Sequence, residues 1–238
     1  MPARTAKTPL SRERILAAAT AVADAEGLAA VTMRRVAEAL DCEAMSLYYY
    51  VKDKSQLLSG LVETVIDQII AETLAGADQS GPQELSQSGS NPSTADWREV
   101  VRTRCLGARK VMLRHPWAPS LVAGTAVVPP NTYLVFEALV GTMIEAGFSY
   151  ETAHRAIHSL GSMLMGFTQE IFEPDAADDG TTAEEMAAMA AAFPHLGALA
   201  GSVTHDQTDS LGVCDTQSEF EFTLNLVLNG LDGFRGND

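Results

Sequence analysis

The 238-residue chain is poor in cysteine: Cys42, Cys105 and Cys214 are odd in number, far apart and lack CxxC spacing. That excludes a disulfide framework and a paired-cysteine metal site, and the thiols read as ordinary ones in a reducing cytoplasm. Strand signals are nearly absent, which excludes a sandwich or barrel. No apolar run approaches the roughly eighteen residues a membrane span requires, and the basic start MPARTAKTPLSRER lacks the apolar stretch of a signal peptide. Neither a GxSxG elbow nor a P-loop occurs. His154 and His158 share a helix face at i,i+4 spacing, half of a zinc site, but no HExxH glutamate or third ligand accompanies them. The expectation is therefore no catalytic residue, no metal and no cofactor.

Positive charge is also scarce, with 16 Lys/Arg against 31 Asp/Glu and a net charge of −15. The balance is uneven along the chain. Residues 1–60 carry a net +1 and residues 61–238 a net −16, while the first fourteen, with Arg4, Lys7, Arg12 and Arg14, are locally +3. A polyanion would therefore meet this chain at its N-terminal end, with binding that falls steeply as salt rises.

What the chain does contain is the stretch TMRRVAEALDCEAMSLYYYVKDK, residues 32–54. Thr32 is a good N-cap, and Val31 before it is placed to staple onto Val36. Val36, Ala37 and Leu40 form an inward stripe at helical spacing. Asp41 and Cys42 form a turn. A second short helix, from Glu43 to about Tyr49, buries Leu47 and leaves Ala44, Met45, Ser46, Tyr48 and Tyr49 free. A third starts near Asp53. Two short helices around a tight turn are the layout of a helix-turn-helix, whose second helix enters the DNA major groove. The tyrosine hydroxyls, Ser46 and the lysines suit phosphate contacts; Arg34 and residues 44–46 suit base edges.

These residues resemble the TetR family of one-component transcriptional regulators. Ile15 to Ala19 and Glu26-Gly27-Leu28 match its first helix and terminating glycine, Thr32 to Ala37 its second, and Ser46 to Lys54 followed by Leu57-Leu58 its most diagnostic stretch. Asp41 stands where the family usually has glycine; aspartate tolerates the left-handed conformation better than most residues. The resemblance implies that Arg34, Ala44, Met45 and Tyr49 face bases, and that Thr32, Ser46, Tyr48, Tyr50 and Lys54 face the backbone. Because Ala44 and Met45 are apolar, thymine methyl contacts are expected there rather than bidentate hydrogen bonds.

Beyond this block the pattern is helix after helix. Asp53-Lys54-Ser55-Gln56 opens a long helix carried by Leu57, Leu58, Leu61, Val65 and Ile69 to about Leu74. Residues 76–95 are rich in Ser, Gly and Pro and read as a flexible loop. Further helices are expected from Asp96 to His115, irregularly within 117–128, from Asn131 to Gly147, and from Ser149 to about Glu173. An acidic loop at 175–183, an Ala/Met-rich helix through Phe193, a loop at 197–215 and a last helix from Thr216 complete the chain.

His115-Pro116, Pro130-Asn131, Glu145 to Phe148 and Phe220 to Leu231 resemble the C-terminal domain of tetracycline-repressor-like members. The implied fold is all-α: a three-helix DNA-binding domain at 1–60 with the helix-turn-helix near 32–51, and a ligand-binding and dimerisation domain at 61–238. The implied partners are a double-stranded DNA operator and a second copy of the chain, docked through helices about 150–173 and 217–234, where Gly161, Ser162 and Gly166 permit close approach. A small apolar or aromatic effector is the third, with a pocket among Ile66, Ile70, Arg104, Ala108, Met112 and Val122, and Phe136, Leu139, Met143, Ser162, Met165 and Glu170. No membrane partner is implied, and a cytoplasmic location is. Tetracycline is not the expected effector: Val122 stands where tetracycline receptors present a histidine to drug-bound magnesium, and Ile70 and Arg104 replace their histidine and asparagine. The implied action is repression; activation, or a fold that has lost DNA and works through protein contacts, are the alternatives.

Overall fold

The computed structural model describes residues 9–79, 96–125, 127–168, 183–202 and 216–236. Among them there are eleven α-helices and no strand. Helix α1 (Arg12–Glu26) starts where Ser11 accepts from the Arg14 N–H at 3.3 Å, and ends at Gly27, whose φ of 80° suits a residue without a Cβ. A 3-10 turn at Leu28–Ala30 leads to α2 (Met33–Ala39), capped as expected by Thr32, which accepts from the Arg35 N–H at 3.1 Å. Val31 and Val36 are both fully buried in one core, as a staple requires. Asp41 takes φ 51°, so the turn is the left-handed one that the glycine-to-aspartate difference left in question.

Helix α3 (Ala44–Leu47) is shorter than expected. Tyr50 and Val51 both donate back to the Leu47 carbonyl, so residues 48–50 tighten into a turn instead of extending the helix. Helix α4 (Lys54–Gln79) opens with Asp53 accepting from the Gln56 N–H at 2.8 Å and Gln56 accepting from Lys52 at 2.7 Å. It runs past the expected stop near Leu74 to Gln79, because a single glycine weakens a helix by about 1 kcal/mol without ending it. Residues 76–79 of the expected loop are thus helical, and 80–95 lie outside the described residues.

Helix α5 (Trp97–Arg114) is capped by Asp96 and stopped by Pro116, which keeps His115 out of helical backbone. Then come α6 (Ala118–Ala123), α7 (Thr132–Glu145) and α8 (Tyr150–Gly166), the last capped by Ser149. The expected run of α8 to Glu173 is not followed through Phe167 and Thr168, where the Thr168 N–H and hydroxyl both bond the Met165 carbonyl; residues 169–182 lie outside the described set. Helices α9 (Ala183–Ala192) and α10 (Pro194–Ser202) form a hairpin, and α11 (Thr216–Asp232) ends the fold. Helix α10 corrects the expected loop over residues 197–202, while 203–215 lie outside the described residues. Proline at its first position suits a helix start, and Gly197 lets it approach α9 so closely that a Cβ would stand 2.9 Å from that of Ala190.

Two cores hold these helices. The first joins α1–α3 to α4, the C-terminal half of α5 and α6, through residues such as Ile15, Leu47, Leu61, Val65 and Met112. The second joins the start of α5 to α7, α8 and α11 through Trp97, Met143, Leu160 and Phe220. Each fully buried Leu, Ile or Phe contributes roughly 1.5–3 kcal/mol. At Gly60 a Cβ would lie 2.4 Å from the Leu16 side chain, so α1 sits directly on α4 there. No described helix is long and apolar enough to cross a membrane.

Candidate nucleic-acid interface and effector region

Helix α3 anchors itself through Leu47, which is fully buried, and presents the rest of its surface outward. Met45 is 74% exposed and Tyr49 87%, while Ser46 and Tyr48 are also exposed. Ala44 and Tyr50 are half-buried against the first core, and the Tyr49 and Tyr50 rings meet edge to face at 5.0 Å. Thr32 and Arg34 in the first turn of α2, and Lys54 at the start of α4, are exposed. The nine residues expected at DNA thus lie at the start of α2, on α3, in the turn that follows it and at the start of α4.

Adjacent arginines on α2 are used differently. Arg35 binds Glu26 of α1 at 2.6 to 3.1 Å, and this hydrogen bonding holds the Glu26 carboxyl below its usual range. Arg34 makes an exposed i,i+4 pair with Glu38 at 3.0 Å, a bond of little worth in water that leaves its guanidinium accessible. The turn between α2 and α3 is acidic, with Glu38, Asp41 and Glu43 beside Cys42 along a shallow cleft.

The effector candidates divide between the two cores. Ile66, Ala108 and Met112 are buried in the first, with Ile70, Val122 and Met165 at its margin; Met143 is buried in the second, with Leu139 beside it. Phe136 and Ser162 are exposed, and Glu170 lies outside the described residues. Arg104 is half-buried between α5 and α7 and donates to the Ala138 carbonyl at 2.6 Å and the Thr142 hydroxyl at 2.7 Å; burial lowers its pKa. An open cavity of about 430 Å³ lies elsewhere, along the outer face of α5, lined by Leu106, Arg109, Lys110, Leu113, Arg114 and Gln217. None of the twelve candidates lines it. Half-buried Cys105 has its thiol pushed up to about 12 by desolvation, so it is protonated at neutral pH.

The bacterial regulatory proteins, tetR family, model matches residues 15–61, and the tetracyclin repressor-like C-terminal domain model matches residues 90–234. The chain belongs to the TetR family. It is a DNA-binding transcriptional regulator, not an enzyme. Its sequence is 27% identical over 161 residues to the class E tetracycline repressor protein of Escherichia coli, covering 68% of each chain. It is similar to a solved structure of a possible TetR family transcriptional regulator from Streptomyces coelicolor A3(2), at 29% identity and TM-score 0.67, covering 94% of this chain and 100% of that one. The fold also matches Streptomyces coelicolor ActR solved with actinorhodin, at 24% identity and TM-score 0.69, covering 96% of this chain and 98% of that one.

Sequence reasoning about this TetR-family chain missed the polar contacts that tie α1 and α4 to the rest of the fold. Arg12 of α1 pairs with Glu63 of α4 at 2.7 Å, Asn131 donates to Asp67 at 2.7 Å, and Glu72 of α4 accepts from Lys110 and Arg114 of α5. Asp24 accepts from both His115 and Trp117. One signal was present. Asp24 and Glu26 put negative charge at the C-terminal end of α1, where the helix dipole disfavours it, so each needed a partner from elsewhere.

Proposed function

We propose that the chain is a ligand-responsive repressor that binds a palindromic operator as a homodimer and leaves it when a small apolar or aromatic effector binds. The observation that carries this reading is the surface of α3 and the turn after it: Leu47 buried, and Met45, Ser46, Tyr48 and Tyr49 presented outward beside Arg34 and Lys54. Residues 1–60 act as the reading head and 61–238 as the body. Two heads about 34–36 Å apart read successive major grooves of a twofold site.

An apolar stripe left open in the monomer supports the dimer. Phe222 and Leu226 of α11 are 61% and 57% exposed, and the outward face of α8 carries Gly161, Ser162 and Gly166, where an added Cβ meets nothing within 4 Å of either glycine. Packing these helices against their symmetry mates buries the stripe. Methionines at 112, 143, 163 and 165 give the body adaptable apolar side chains, and ActR solved with actinorhodin is an example of this fold holding a small molecule. The effector acts by binding the DNA-free arrangement of the heads more tightly than the DNA-bound one. A cytoplasmic location follows from this role.

Purified protein titrated onto its own upstream DNA by mobility shift, across a salt series, tests the reading. The expected result is a specific shift whose affinity falls steeply with salt. No specific shift, and no sequence enriched in a random-DNA selection by the same dimer, would leave only a fold that works through protein contacts.

A further inference from the structure

The carboxylate of Asp24 holds a junction of three elements. It sits in the last turn of α1, yet its Oδ1 accepts from His115 Nδ1 at 2.7 Å and from the Trp117 indole N–H at 2.6 Å, partners 91 and 93 positions away at the corner between α5 and α6. The other ring nitrogen of His115 faces the Gln68 side chain, on α4, at 3.0 Å. His115 and Trp117 are buried and their rings pack 5.4 Å apart. An ionised carboxylate can only accept, so Nδ1 carries a proton and donates to it. Pro116 fixes the backbone between the two donors.

We infer that Asp24 is a positioning residue for DNA recognition: with His115 and Trp117 it sets the angle at which each head leaves its body. This rests on the reading of the chain as a dimeric DNA-binding regulator and adds a second route between effector and head. Arg12 and Glu63 pin the start of α1 to α4; the Asp24 junction pins its end to the α5–α6 corner. With both ends held, α1 and the α2–α3 unit packed on it turn as one body with that corner. Met112 lies one turn before His115 and is buried in the first core, so a displacement there reaches α1 directly as well as through α4. The charge explains why a polar junction serves: an apolar contact tolerates sliding, whereas two short hydrogen bonds to one oxygen admit one geometry.

Two variants of the full chain test this, Asp24→Ala and Trp117→Phe, the second removing the indole N–H while keeping a smaller aromatic ring. One spin label per protomer, carried by an unnatural amino acid at position 45, reports the head-to-head distance in the DNA-free dimer. The expected result is a broader distance distribution in both variants than in the parent. On operator DNA, one base pair inserted between half-sites moves them about 3.4 Å apart, and the parent should lose affinity sharply. The variants should show a penalty smaller by about tenfold. A role confined to stability would lower Tm without changing that spacing preference. Parental distance widths and parental spacing penalties in both variants would overturn the proposal alone. A parent with no dipolar signal would instead remove the dimer reading, and the proposal with it.

Discussion

Arg35 and Glu26 are joined by hydrogen bonds of 2.6 to 3.1 Å that close α2 onto the end of α1, while Arg34, one residue earlier, points its guanidinium into solvent. Neighbouring residues of one type therefore have separate jobs. Arg34→Ala should weaken operator binding by about tenfold and relax sequence preference at the base it reads, leaving Tm unchanged. Arg35→Ala should lower Tm, with little effect on sequence preference. Equal sequence preferences for the two variants in a binding titration across operator variants would refute the division.

Tyr48 and Lys54 are exposed at the end of α3 and the start of α4, as phosphate contacts would be. Replacing either with Ala should cost about tenfold in affinity, the worth of one charge-assisted hydrogen bond, and should do so equally on all operator variants. Fluorescence anisotropy decides it; unchanged affinity sinks the assigned binding mode.

Acid should loosen the join between α4 and α5. Glu72 is held below the usual glutamate range first by its hydrogen bond from Lys110, with Arg114 adding to it. A depressed carboxyl contributes stability that is full above its unfolded pKa and lost as pH falls through the folded one. The same sign applies to Glu26 with Arg35. Thermal unfolding from pH 7 downward should thus show a smaller acid loss in Glu72→Gln than in the parent, with the difference confined to pH below the normal glutamate range. Identical Tm profiles would show the pair to be inert.

The exposed stripe on α11 makes a sharp case for the dimer. Phe222→Glu and Leu226→Glu should give folded monomers, since neither side chain belongs to the buried core. Gly161→Ala tests α8 from the other direction. In the isolated chain it adds no clash and should favour the helix by about 1 kcal/mol, yet it should weaken a dimer that uses the glycine for close approach. Sedimentation equilibrium reads both, and three dimers of parental strength would place the interface elsewhere.

Cys105 offers a chemical check on packing. With its thiol pushed up to about 12 by desolvation, alkylation at pH 8 should be far slower than for an unperturbed thiol and should speed up on unfolding. Intact-protein mass spectrometry during iodoacetamide treatment measures it. Rapid labelling of Cys105 in the folded chain would mean that the body opens readily.

The amino-acid order by itself determined the helices that begin with a side-chain cap and end at glycine or proline: Ser11 to Gly27, Thr32 to the Asp41 turn, Asp96 to Pro116, Ser149 onward. Caps and stops act within four residues, so their physics is local and can be read in one dimension. The reading block at 32–54 was legible for the same reason, since Leu47 inward and Met45, Tyr48 and Tyr49 outward follow from helical spacing alone. Tertiary structure decided which arginine is spent on Glu26, why Asp24 stands at the wrong end of a helix, and that α9 and α10 form a hairpin. It also spread the effector candidates over two cores. Each of those depends on residues tens of positions apart meeting across packed helices, and no local spacing encodes which faces will meet.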